Sequence, residues 1–489
     1  MAKRKQRHFA KGRGMSEKKF DWVPKEKRKK ILFLADDCRM PSGVGVMARY
    51  IICKTAHHFN WVQVGAAVKH PEQGKVFDMS DAVNNEAGID DSMVRLYPFS
   101  GYGTPELIRW LMMHEQPDAI LHFTDPRFWI WLYQMEAEIR ETIPLFFYHI
   151  WDDTPFPKYN ESYYRSCDYI ACISKQTYNI VQQVWKRGKD GKLIQPWQIQ
   201  YIPHGVDHTV FRRLTSPEEL ASVQAMKKKM FGSEWNNVDF VVFWNNRNIR
   251  RKMVGDVILA YQHFIRQLSP EKGQRCRLVL HTQPIDENGT DIPAVVRDVA
   301  PDISVIFSVE RLAPDKLNIL YNIADVTINI ASNEGFGIST LESILAETPI
   351  VVNVTGGLQD QCGFMDEFGN YLDPDKHFNS EFGTNAERRY LQHGEWVIPV
   401  FPAQRALIGS PATPYIFDDR ADWKEAGLAL LQWYEMSEEE RRRRGALGRK
   451  YAIEEGFTAE QMGRSFIQGM DTALQNWKPR TRFVLEKAV

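Results

Sequence analysis

The chain has 489 residues, 25% of them charged and 43% apolar, with 62 Lys and Arg against 62 Asp and Glu. That length implies two to three domains with substantial cores, and the composition excludes a mainly disordered chain. No apolar run approaches the ~18 residues of a membrane span, and the basic N-terminus lacks the apolar segment of a secretory signal, so a cytoplasmic protein is expected.

The zero net charge hides a split. Residues 1–30 carry 13 basic and three acidic side chains, whereas the remaining 459 carry 49 basic and 59 acidic ones. Residues 1–28 therefore read as a disordered basic arm: a solubilising tail, a contact for DNA or RNA, or a tether to an anionic membrane. The six cysteines show neither CxxC nor metal-ligand spacing and read as reduced thiols.

Along the chain, strands expected at 30–35, 61–67, 119–123, 144–149 and 169–173 alternate with helices at 46–56, 104–115, 129–139 and 175–185. That alternation is the pattern of a doubly wound parallel sheet. Residues 201–211, with Pro203, Gly205 and Asp207, close this unit. A helix at 216–230 then opens a second alternating series, with strands at 239–244, 277–281, 304–307, 325–330 and 349–353. Residues 363–400 break the alternation and read as an inserted loop region. Ser437, followed by three glutamates, is a capped helix start, and a last helix is expected at 459–477. The fold class is thus α/β, with two Rossmann-like domains facing a central cleft. The expected division is an arm at 1–28, domains at 29–212 and 213–457, and a final segment at 458–489 whose helix returns to the first domain.

The densest chemical signal is Asn333-Glu334-Gly335-Phe336-Gly337-Ile338-Ser339-Thr340-Leu341-Glu342, between an apolar strand and a helix. Glycines at 335 and 337 let backbone amides approach an anion or sugar at a helix N-terminus. Two carboxylates eight residues apart, Glu334 and Glu342, are suited to accept hydrogen bonds from vicinal hydroxyls. The plainer reading is a glycine turn with an acid capping a helix. A second cluster, from Asn245 to Lys252, places Arg247, Arg250, Arg251 and Lys252 where a strand gives way to a helix, as a diphosphate site requires; otherwise it is a solvated basic loop.

Together these elements resemble the retaining GT-B glycosyltransferases of glycosyltransferase family 4. That family has a Glu-x7-Glu element, matched by Glu334 and Glu342, and an Arg and a Lys five positions apart, matched by Arg247 and Lys252. The resemblance implies that the first domain binds the acceptor and the second a nucleotide sugar, with a UDP-sugar favoured. It implies that Arg247 and Lys252 hold the leaving diphosphate, that Glu334 with Gly335, Phe336, Gly337 and Ile338 orients the sugar, and that Glu342 contacts the ribose. Glycines 43 and 45 would approach the donor phosphates. Gly43-x-Gly45-x-x-Ala48 also fits a dinucleotide fingerprint, but seven residues separate it from the strand and no acid ends the second strand, which opposes a dehydrogenase.

Many relatives carry H-x-H-E-P after a strand. Here His122-Phe123-Thr124-Asp125-Pro126 lacks the second His, so His122 is either catalytic or a core residue, and Asp125 is the alternative for binding the acceptor. His149, Trp151 and Asp152 are further acceptor-side candidates. Most aromatics of the first domain belong to its core, while those near Tyr102 or Trp151 are placed to stack on a base or sugar. No Asp-x-Asp pair occurs at the site, so metal-independent transfer with no cofactor is expected. The stretches 35–45 and 55–61 also resemble glycosyltransferases encoded by bacteriophages. With the basic arm, that likeness makes a hydroxymethylated pyrimidine in DNA the leading acceptor. A cell-envelope or lipid-linked glycan with the arm on the membrane is the alternative, and a non-catalytic nucleotide-sugar-binding protein is the alternative of another class.

Overall fold

The structure is a computed structural model and describes residues 22–185 and 194–480. Its first sheet contains β1 (Lys29–Asp36), β2 (Phe59–Val68), β3 (Phe77–Asp78), β4 (Val94–Ser100), β5 (Ala119–Phe123), β6 (Leu145–His149), β7 (Tyr169–Cys172) and β8 (Ile199–Tyr201), in the order β3-β4-β2-β1-β5-β6-β7-β8. All neighbours are parallel except the short β3 edge. The second sheet contains β9 (Phe240–Asn245), β10 (Cys276–His281), β11 (Val305–Ser308), β12 (Val326–Asn329), β13 (Ile350–Asn353) and β14 (Val397–Val400), in the order β11-β10-β9-β12-β13-β14, wholly parallel. An antiparallel hairpin follows, β15 (Pro402–Ser410) and β16 (Thr413–Ala421). Every residue of β5, β6, β7, β12 and β13 is buried, because helices cover both faces of each sheet.

Short polar residues start the helices at the loops that border the cleft. Ser42, Ser174 and Thr458 each accept a hydrogen bond from the first turn they cap. Ser216 and Glu219 form a reciprocal capping box at the head of the second domain.

The expected long helix at 129–139 is broken into a 3-10 turn and two short helices, Ile130–Gln134 and Glu136–Ile139. Strands β4, β8 and β14 and the 402–421 hairpin were not anticipated. The hairpin alternates too weakly to be read, since much of β15 faces water. The 363–396 region is irregular yet packed, with Phe364, Leu372, Phe378, Phe382 and Trp396 all buried.

Of the expected disordered arm, residues 1–21 lie outside the described residues. Residues 22–28 are docked. The Arg28 guanidinium is buried and forms a two-pronged ion pair with Asp91, Trp22 donates to the same carboxylate at 3.0 Å, and Val23 N donates to His57 O. Among the described residues no helix is long and apolar enough to cross a membrane. The six cysteines are free and buried.

The chain crosses between the units at 201–211 and returns at 457–459. Val206 bridges Thr458, Ala459 N donates to Val206 O at 3.0 Å, and the Ala459–Asn476 helix then lies on the Gly43–Thr55 helix. Gly205 permits this crossing, because a Cβ there would lie 2.1 Å from Thr458 O. Gly205→Ala should destabilise the protein by about 2 kcal/mol through this backbone clash; urea unfolding followed by circular dichroism is the measurement.

Candidate active site

The C-terminal ends of both sheets face one another, and the two sequence clusters meet there. Lys252 closes a 3-10 turn just past β9, and Glu334 sits in the loop after β12. Each is 7% exposed, and the Lys252 ammonium donates directly to the Glu334 carboxylate. Arg251 adds a second cation, with Nη1 at 2.6 Å from Asn333 O and 3.7 Å from a Glu334 oxygen. Burial pushes the Glu334 carboxyl up, but Lys252 and Arg251 outweigh it and hold the group below the ordinary glutamate range. Burial draws the Lys252 ammonium down to about 8, with Glu334 opposing that drift.

The turn from Glu334 to Gly337 depends on glycine for its shape. Gly337 has φ +89 and stands immediately before the Ile338–Leu345 helix. A Cβ on Gly357 would come within 2.3 Å of Gly335 O, and Gly357 N donates to Glu334 O at 2.9 Å. Phe336 is buried edge-on against His204 at 5.4 Å, and the His204 ring is bonded at 2.7 Å to the Tyr148 hydroxyl. Glu342 lies one turn into the helix and accepts from the Tyr321 hydroxyl at 2.7 Å; Tyr321 in turn accepts from Asn245 at 2.9 Å. Burial raises the Glu342 carboxyl to about 7.

The first domain supplies the opposite wall. A Cβ on Gly335 would meet Ile150 O at 3.3 Å, and one on Gly43 would meet Ile338 Cδ1 at 3.4 Å. Asp152 stands against the loop after β13, since a Cβ on Gly356, which backs onto Glu334 O, would meet its Cβ at 3.2 Å. Burial raises the Asp152 carboxyl, Arg251 lowers it, and the Glu334 charge raises it further. Asn333 donates to the Asp153 carboxylate and, at 2.8 Å, to Phe417 O of β16, so the hairpin joins the seam.

Several expected site residues stand elsewhere. Arg247 turns outward, 66% exposed, and pairs with Asp286 at 3.0 Å, while Arg251 stands beside Glu334. His122 is fully buried, stacked on Phe147 and bonded to the Tyr133 hydroxyl at 2.8 Å; burial brings its ring down to about 3. His149 is likewise buried beneath the cleft, bonded to the Tyr164 hydroxyl at 2.8 Å and held well below the ordinary histidine range by burial. Asp125 caps the following turn and pairs with Arg127 at 2.8 Å. Trp151 is buried under the Arg127 guanidinium, 4.4 Å from its ring centre, and donates to Asp153 O. Gly45 is packed inside, where a Cβ would strike Asp37 O and Met40 O, and its amide is taken by Ser42. Arg251 and Asn333 belong to the two clusters that the sequence singles out, whereas Asp153 and His204 carry no signal that a spacing rule detects.

Solved structures share this architecture at low identity. HepE of Anabaena, solved with UDP and glucose, matches at a TM-score of 0.61 over 91% of this chain and 100% of its own, with 13% identity. Sucrose-phosphate synthase of Thermosynechococcus elongatus matches at 0.59 over 91% and 100%, with 15% identity. The E. coli trehalose-6-phosphate structure bound with UDP-2-fluoro glucose matches at 0.57 over 92% and 100%, with 12% identity. The fold is GT-B. No protein-family model and no curated protein matches the chain. Within this GT-B architecture the Lys252–Glu334 pair lies where the C-terminal edges of the two sheets meet, the place where open α/β sheets bind ligands.

Among the described residues, three ligand-type side chains that could hold a metal ion converge at Asp207, His208 and Glu460, by the interdomain crossing, where Lys54 already pairs with Glu460.

The state of Lys252 gives the site a pH dependence. Below about 8 the lysine is a cation, and above it the neutral amine leaves Glu334 less compensated and Arg251 alone to attract an anion. Affinity for inorganic pyrophosphate should therefore fall as pH rises through that value, and Lys252→Arg should keep its affinity there because a guanidinium stays charged to roughly pH 12. Isothermal titration across that range checks both.

Proposed function

We propose that this protein is a retaining glycosyltransferase that moves a sugar, with UDP-glucose the favoured donor, onto an acceptor hydroxyl. The observation that carries the reading is the buried Lys252–Glu334 pair with Arg251 beside it, at the head of a glycine-shaped helix start. Support comes from the fold, which HepE shares while holding UDP and glucose.

The chemistry follows from charge placement. The Lys252 ammonium and Arg251 guanidinium stabilise the negative charge that grows on the already anionic diphosphate as the bond from the sugar C1 to the phosphate oxygen breaks. Glu334 and the amides at the start of the Ile338–Leu345 helix orient the sugar hydroxyls. Glu342, already holding the Tyr321 hydroxyl, takes the ribose. The acceptor oxygen forms its new bond to C1 on the face the phosphate leaves, and the acceptor proton passes to a phosphate oxygen, so no carboxylate nucleophile is required. Asp152, on the first-domain wall, is the carboxylate placed to hold the acceptor. With Asp153 held by Asn333 and Asp37 by Arg39, neither adjacent Asp pair is arranged as metal ligands, and we infer transfer without a metal.

Because Arg251 and not Arg247 flanks Glu334, the two arginines separate this reading from the family spacing. Arg251→Ala, Lys252→Ala and Glu342→Ala should each lower UDP-glucose hydrolysis and transfer by roughly tenfold or more, whereas Arg247→Ala should change them by less than about threefold. Steady-state release of UDP and glucose is the measurement. Unchanged rates in Lys252→Ala would remove the site assignment, and tight UDP-glucose binding without turnover would favour a non-catalytic nucleotide-sugar-binding protein.

A further inference from the structure

The first-domain side of the cleft carries an aromatic shelf. Tyr102 follows β4 by two residues and Phe128 lies in the turn after β5, so both stand on the C-terminal edge of the first sheet, the edge that presents Gly43 and Asp152 to the second domain. Their rings are stacked, with centroids 4.6 Å apart and planes 8° from parallel. Buried Trp129 supports Tyr102 edge-on at 5.8 Å, and Trp131 donates its indole N–H to Tyr102 O at 3.2 Å. Gly103, at φ +78, seats the loop against Trp131, whose ring a Cβ there would approach to 3.0 Å. The shelf is therefore held from below and behind. Its outer member is nevertheless 54% exposed, and neighbouring Ile130 is 46% exposed. A rigidly held aromatic left in water at a ligand-binding edge gains from being covered.

The surrounding groups select what covers it. Asp36 ends β1 and Asp125 caps the turn that carries Phe128, and their charges, added to burial, hold the Tyr102 hydroxyl above its ordinary range. Asp125 is paired with Arg127, whereas among the described residues the Asp36 carboxylate accepts from Ser42 alone. The Tyr102 hydroxyl makes no hydrogen bond to any described residue. A sugar ring offers an apolar C–H face for the Phe128 ring and hydroxyl donors for a carboxylate and a phenol at its edge. A nucleic-acid strand would instead bring phosphates toward these carboxylates, with Arg127 already engaged by Asp125. We propose that Tyr102 and Phe128 form a stacking subsite for a neutral sugar ring of the acceptor, which makes that acceptor a carbohydrate. The proposal rests on the glycosyltransferase reading for the role of the bound sugar.

Saturation-transfer NMR on the full chain tests it, with neutral trisaccharides ending in glucose, galactose or mannose as probes. An oligonucleotide containing hydroxymethylcytosine and UDP-glucose are run as separate samples. At least one trisaccharide should bind, Phe128→Ala and Phe128→Leu should weaken it by roughly tenfold, and Phe128→Tyr should retain it, since a flat ring and not bulk is needed. Phe128 is exposed, so these variants fold, and their UDP-glucose signals should match the wild type. Absence of any trisaccharide signal, a signal indifferent to Phe128→Ala, or binding of the oligonucleotide that Phe128→Ala abolishes would overturn the proposal. Loss of UDP-glucose binding in every protein would instead count against the glycosyltransferase reading and leave the trisaccharide result to stand by itself.

Discussion

The ion pair between Lys252 and Glu334 is the contact around which the cleft is organised. Two nearly buried opposite charges are stable only while they remain together, because either alone would bear the full desolvation penalty. The pair therefore locks the loop after β9 to the loop after β12, two central neighbours of the second sheet. Everything else at the site follows that register: Arg251 reaches Asn333, Gly357 backs Gly335, and the helix carrying Glu342 begins at a set angle. A ligand diphosphate entering beside this pair would meet a cation whose proton is already loosened by burial.

The two domains touch through a polar seam. Lys175 N and the Tyr201 hydroxyl both donate to the Asp360 carboxylate, at 2.9 and 3.0 Å, and Phe417 N donates to Thr154 O at 2.8 Å. Hydrogen bonds of this kind contribute modestly each, and they run beside apolar contact, since one buried cluster joins Met47 and Ile173 of the first domain to Phe336 and Leu358 of the second. The 402–421 hairpin extends the seam by carrying second-domain backbone over to Thr154 and Tyr159. Asp152 and the Tyr102–Phe128 shelf gain their position relative to Glu334 from this alignment.

The legible part of the site was the part encoded by local spacing. Glu334, Glu342 and Lys252 belong to short segments whose backbone shape is dictated by glycines and by strand-to-helix transitions, so their neighbourhood was readable. A spacing rule counts residues and does not see rotamers: it does not show that Arg247 pairs with Asp286 at the surface while Arg251 reaches the Asn333 carbonyl. His122 and His149 end strands, a position shared by catalytic and by core histidines. Only the aromatic and tyrosine partners surrounding each ring assign them to the core.

By itself the sequence determined the alternation of strands and helices, hence two parallel sheets, because the period of apolar residues and the glycine and proline breaks are local properties. It also marked one half of the chain by a glycine turn between an apolar strand and a helix, from Glu334 to Glu342. Tertiary structure decided which charges meet across strands, which histidines are sealed from the cleft, and that residues 22–28 are docked through Arg28. Those outcomes depend on contacts between separate segments, from His122 with Tyr133, 11 residues apart, to Lys252 with Glu334, 82 apart. Such contacts are settled by burial and charge compensation in three dimensions and leave no periodic trace in the chain.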